Sequence, residues 1–184
     1  WSSDVCSSDL TYASSQRITV TNERSHLIMG FIDVIKERAK SSIKTIVLPE
    51  TEDMRTLEAA DKILKEGIAK LVLVGNEEAV KKSAAEGGFD ISGAQIVDPA
   101  TSEKTQGYID KLVELRQKKG MTPEQAKEIL LNQYLYYGVM MVKMGDADGM
   151  VSGACHSTAD TLRPCLQILK TKPEIGRASC RERV

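Results

Sequence analysis

The residues best placed to do chemistry lie between Asp148 and Leu169, in the stretch DGMVSGACHSTADTLRPCLQIL. Gly149, Met150 and Val151 read as a short strand that ends at Ser152-Gly153, a small polar loop follows, and helical spacing then begins. Leu162, Leu166 and Leu169 mark the helix, and Pro164 fits only its first turn, which places the start at about Asp160 or Thr161. A helix that starts there points free backbone N–H groups and the positive end of its dipole at Ser152, Ser157 and Thr158. Arg163, on the expected first turn, adds a planar and permanently charged fork, so the guest this stretch suits is an anion. The plainer reading is a loop whose Ser and Thr cap a helix and bind nothing. Neither Gly-x-Gly-x-x-Gly nor Gly-x-x-x-x-Gly-Lys-Ser/Thr is present to decide the matter.

The elements that must position this stretch alternate along the chain. Phe31, Ile32, Ile35 and Ala39 form one face of a first helix. An apolar strand at residues 45–48 ends at Pro49-Glu50, and Thr51 is expected to cap the next helix, with Glu52 and Asp53 in its first turn and Gly67 as its stop. Strands at 71–74 and 95–97 frame a polar helix broken at Gly87-Gly88. A helix through Ile109, Leu112 and Leu115 stops at Gly120, and Thr122-Pro123-Glu124-Gln125 opens another with a capping box. That helix runs to Met144 with a break expected near Asn132 or Gly138. Its Tyr134, Tyr136, Tyr137, Met140, Met141 and Met144 read as a buried face in preference to a cofactor box. Short apolar strands separated by helices predict an α/β fold, a doubly wound three-layer sandwich on a mainly parallel sheet, whose ligands lie beyond the strand carboxyl ends. Arg55 and Arg163 both follow strands, and Arg116 lies late on a helix.

Composition removes several function classes. With 25 basic and 26 acidic residues the net charge of −1 offers no field for nucleic acid or an anionic membrane. The longest apolar runs are too short to span a bilayer, so a soluble, cytoplasmic protein is expected. Cys6, Cys155, Cys165 and Cys180 form no C-x-x-C pair and predict reduced thiols, and neither His26 nor His156 has a sequence neighbour suggesting a metal site, so no metal is expected. Residues 1–28 are Ser-rich and lack periodicity, and residues 174–184 are equally out of character, so both read as non-native flanks of a domain spanning 29–173.

The segments IVLPETEDMRTLEAADKIL, LVLVGN, ELRQKKGMTPEQA and DADGMVSGACHSTADTLRPCLQILKT resemble the N-terminal half of the phosphotransacetylase family, which includes phosphate acetyl- and butyryltransferases. The resemblance runs from Met29 to about Pro173. It implies reversible acetyl transfer between acetyl-CoA and inorganic phosphate, giving acetyl phosphate and CoA. No cofactor beyond coenzyme A as substrate is implied, and the full-length chain is expected to be a homodimer. It implies that Arg55 contacts the phosphate-bearing end of coenzyme A and that Arg116 and Arg163 are catalytic, stabilising charge at the reacting phosphate. Ser152, Ser157 and Thr158 complete the expected substrate-binding set. The catalytic base is expected in the family's second half, so the chain as it stands is expected to be an incomplete, inactive portion. Phosphate butyryltransferase, or an α/β segment that only binds, are the alternatives.

Overall fold

Four short runs of mostly aliphatic residues form the strands β1 (Thr45–Leu48), β2 (Lys70–Val74), β3 (Gln95–Val97) and β4 (Gly149–Met150). They make one parallel sheet in the order β3-β2-β1-β4, in the register Val47 opposite Val72 on one side and Met150 on the other. This is a computed structural model, and it describes residues 30–171. The flanks expected at 1–28 and 174–184, with Cys6, His26 and Cys180, lie outside the described residues. The described chain divides into two units, one ending at Ser42 and one starting at Ile43.

Strand side chains alternate, and the alternation decides which helices lie where. Val47, Val72 and Val74 point to one face, into a cluster with Ile109, Leu112, Leu130, Met140 and Ile168. Those partners come from α4 (Thr105–Arg116), α5 (Pro123–Asn132), α6 (Tyr134–Met144) and α7 (Thr158–Ile168). Leu48, Leu71 and Leu73 point the other way, onto Leu57, Ala60 and Val80 of α2 (Met54–Glu66) and α3 (Glu77–Gly87). The expected doubly wound α/β sandwich follows, with helices on both faces. The connections run outward from β1 to β3 and then cross back to β4, so the direction reverses between β1 and β4. The carboxyl ends of these two strands therefore border the crevice in which such sheets hold ligands. Among the described residues no helix is long and apolar enough to cross a membrane.

Several caps are as the sequence predicts. Thr122 and Gln125 form the capping box of α5, with Pro123 in the first turn, and Gly67 and Gly88 end α2 and α3 in left-handed conformations. The long helix breaks at Gln133, whose extended backbone separates α5 from α6. Gly138 is helical, and its lack of a side chain lets α6 approach the sheet: a Cβ there would stand 2.9 Å from Met150 Sδ and 3.2 Å from Val47 Cγ1. Met140 and Met141 are buried beside it as core residues, whereas Met144 is exposed.

Two expectations are corrected. Thr51 does not cap α2; it is buried and donates its hydroxyl to the Val74 carbonyl at 2.9 Å, tying the end of β1 to that of β2. Asp53 is the cap instead, accepting from the Arg55 amide. Helix α7 starts at Thr158, so Pro164 and Arg163 lie in its second turn, and the helix buries Pro164 and Ile168 while Leu162 and Leu166 stay exposed. Pro164 costs the helix one amide, and burial of its ring compensates. Helix α1 (residues 30–41) belongs to the first unit, and its Phe31, Ile32 and Ile35 are exposed.

Candidate functional site

The carboxylate of Glu50, immediately past β1, organises the switch point. Its side chain is only 2% exposed. It accepts backbone N–H bonds from Gly153 and Ala154 at 2.7 Å each, from His156 at 3.0 Å and from Cys155 at 3.3 Å. The ring Nδ1 of His156 adds a fifth contact at 2.8 Å. A run of amides after a strand suits an anion, and here the chain supplies the anion itself. Burial is the largest single influence and pushes the Glu50 carboxyl up, but the amides of Ala154, Gly153 and Cys155 together with His156 outweigh it and hold the group down at about 2. Glu50 is therefore ionised throughout the physiological range, and as a pure acceptor it calls for a hydrogen on the Nδ1 side of His156.

Glu50 stands in the wall between two clefts. One, of about 570 Å³, lies between the α5–α6 junction and the start of α7, and is lined by Glu50, Glu52, Tyr136, His156, Asp160 and Arg163 among others. The other, of about 420 Å³, is largely apolar, with Ile46, Leu48, Ile63 and Val151 around Arg55 and Ser152. The residues expected to bind substrate are thus divided. Arg163 belongs to the polar cleft; Arg55 and Ser152 border the apolar one.

Arg55 is held by Asp53 at 2.6 Å and donates to the Ala154 carbonyl at 2.7 Å, so it braces the loop after β4 against α2. Arg116, at the end of α4, lines neither cleft, and its Nε is buried without a hydrogen-bond partner. Burial pushes the Tyr136 phenol up, and the charges of Arg116 and Arg163 partly offset it, so both guanidiniums lie within electrostatic reach of one hydroxyl. That hydroxyl donates to Gln167 at 3.1 Å. Arg163 has a loose ion pair with Asp160 at 3.9 Å and a side chain 61% exposed. Ser152 Oγ is buried and unpartnered.

Ser157 and Thr158 stand at the start of α7. Ser157 is the N-cap of α7: its Oγ accepts from the Asp160 amide at 3.2 Å and donates to the Asp160 carboxylate at 2.6 Å. Thr158 is the first helical residue and is exposed. Replacing Ser157 by Ala is expected to cost about 1 kcal/mol, as loss of an N-cap does, and a shift in the urea midpoint with unchanged slope measures it.

Glu50, His156, Cys155 and Tyr136 were not among the expected site residues. His156 does have a partner of the kind a metal site uses, but it lies 106 positions away in the chain. Single ligand atoms of Glu50, Cys155 and His156 lie within 4.8 Å of one another. A metal there would have to displace the amides and the ring N–H that already hold Glu50. Burial and the Glu50 charge push the Cys155 thiol up, which keeps it a thiol and a poor ligand. Cys155 and Cys165 are both free.

Against known proteins, residues 30–180 match the family model described as phosphate acetyl/butaryl transferase. A phosphate acetyltransferase of Acetivibrio thermocellus is 57% identical over 145 residues, covering 79% of this chain and 43% of the relative. One of Clostridium acetobutylicum is 51% identical over 147 residues, covering 80% and 44%. A solved phosphotransacetylase from Streptococcus pyogenes superimposes with a TM-score of 0.76 at 40% identity, over 82% of this chain and 45% of that one. The chain thus spans less than half the length of the curated relatives it matches.

Proposed function

This chain belongs to the phosphate acetyl/butaryl transferase family, and from that premise we propose that it carries one wall of an acyltransferase site moving an acetyl group between coenzyme A and inorganic phosphate. Acetyl is favoured over butyryl because the relatives of highest identity above carry the acetyltransferase name. The coenzyme A thiolate attacks the acetyl carbonyl carbon, the carbon–oxygen bond to phosphate breaks, and inorganic phosphate leaves; the reverse direction forms acetyl phosphate. The observation that carries this reading is the pair Arg116 and Arg163, whose charges both bear on the Tyr136 phenol: Arg163 lines the polar cleft with one loose partner at 3.9 Å, and Arg116 has an unpartnered Nε. Two permanent cations with spare donors match a leaving phosphate, where each charge-assisted bond contributes about 1.5–3 kcal/mol. Arg55, beside the apolar cleft, suits the phosphate-bearing end of coenzyme A, with the cleft and Ser152 along its less polar arm. Neither metal nor further cofactor is required by this chemistry. A cytoplasmic homodimer acting on small molecules, without nucleic acid or membrane partners, completes the reading.

The test is Arg163→Gln in a chain extended to the length of the relatives. Turnover of acetyl phosphate and coenzyme A is expected to fall about tenfold or more, one step of 1.4 kcal/mol in the barrier. The melting temperature is expected to stay nearly unchanged, because an exposed pair at 3.9 Å contributes little to stability. Undiminished turnover in the variant would remove Arg163 from the site.

A further inference from the structure

The Glu50–His156 pair crosses 106 positions of sequence to join the two loops that border the switch point. Its geometry is one-sided. Nδ1 of His156 is spent on Glu50, whose other lone pairs are taken by four backbone amides of residues 153–156. The other ring nitrogen, Nε2, is on the far edge of the imidazole, away from Glu50. His156 is 44% exposed in its side chain and lines the same cleft as Arg163. A carboxylate that fixes one nitrogen of an imidazole selects the tautomer and the ring direction, and leaves the second nitrogen as the working atom.

We propose that Nε2 of His156 contacts the leaving or attacking phosphate, accepting a hydrogen bond from its P–OH, and that Glu50 is the positioning residue that aims the ring, a proposal that rests on the acyltransferase reading above. Glu50 has a second effect along the same route. Because its carboxylate fills the amides at 153–156, those amides are closed to a substrate anion, and the incoming phosphate is directed to side chains, Arg163 and His156, on the cleft side of the wall. Besides Glu50, the acidic groups lining that cleft are Glu52 and Asp160, and they confine the anion further, since each repels it from its own portion of the wall. An internal carboxylate thus does for the loop what a bound phosphate does in sheets whose amides face the ligand, and it turns the βα loop into a rigid mount for a histidine.

The chain contains two histidines, His26 and His156, so ring nitrogen resonances can be assigned by difference from His156→Asn. In the 184-residue chain, inorganic phosphate is expected to shift Nε2 of His156 more than its Nδ1 and to leave His26 unmoved. Glu50→Gln should weaken that response by about tenfold or more in phosphate affinity, with His156 no longer in a single tautomer. If neither nitrogen of His156 moves, or if both histidines move alike, the contact is wrong; this readout on the wild-type chain stands even if Glu50→Gln does not fold. In a chain of the relatives' length, His156→Asn should lower kcat about tenfold while the KM for coenzyme A holds. Absence of turnover in the wild-type long chain, with His156 still responding to phosphate, would overturn the acyltransferase reading and leave the anion contact in place. Turnover with a silent His156 would overturn the contact alone.

Discussion

Assayed by itself, the 184-residue chain is expected to show no transfer between acetyl phosphate and coenzyme A. The reason lies in the walls it presents. Arg163, Asp160 and His156 keep 61%, 51% and 44% of their side-chain surface in water, so the cleft they line is open. Transfer between two bound substrates needs them held a few ångströms apart with water kept out, and the alignment alone contributes about 7–11 kcal/mol of the barrier. Losing most of that slows the reaction beyond detection over background hydrolysis. A spectrophotometric assay of acetyl-CoA formation, run on chain whose fold has been checked by circular dichroism, measures it. Turnover on the order of 10 per second would show that these exposed residues suffice and that the closing wall is dispensable.

The layered fold was legible because each strand is a short run of aliphatic residues closed by a turn signal, as at Leu71 to Val74 before Gly75-Asn76. The caps at Thr122, Gly67 and Gly88 were legible because capping is a local hydrogen-bond problem with a local solution. What escaped was decided at long range. Thr51 looks like a cap in sequence, yet the carbonyl of Val74 claims its hydroxyl, and only the pairing of β1 with β2 puts the two together. Pro164 looked confined to a first turn, but burial against the sheet layer lets it sit deeper in α7. Glu50 shows the same limit at the site. A glutamate after a strand is ordinarily exposed, and nothing in Pro49-Glu50 announces that a loop a hundred residues on will wrap its amides around the carboxylate. Arg163 stands in a strand–loop–helix pattern that sequence displays; His156, seven positions before it, owes its place to a partner outside that pattern.

Glu50→Ala should then be the most damaging single substitution for stability in this region, and its cost should depend on pH in a defined direction. The folded-state carboxyl lies at about 2, against 4.5 for an ordinary glutamate. A group whose folded pKa is depressed stabilises the fold above its unfolded pKa, and the contribution disappears as pH falls through the folded value. The difference corresponds to about 3 kcal/mol, more than a hundredfold in the folding equilibrium, fully present at neutral pH and lost between about 4.5 and 2. Asp53, Asp90, Asp146 and Asp148 are also held below the ordinary aspartate range by their partners, so acid unfolding of the wild type reports all of them together. The stability difference between wild type and Glu50→Ala, measured by urea unfolding at a series of pH values, cancels those shared contributions. It should shrink by about 3 kcal/mol from pH 7 to about pH 2, with any packing loss left as a constant remainder. A difference that stayed flat over that range would mean that the amides of residues 153–156 draw no stability from the charge on Glu50, and that water can take its place.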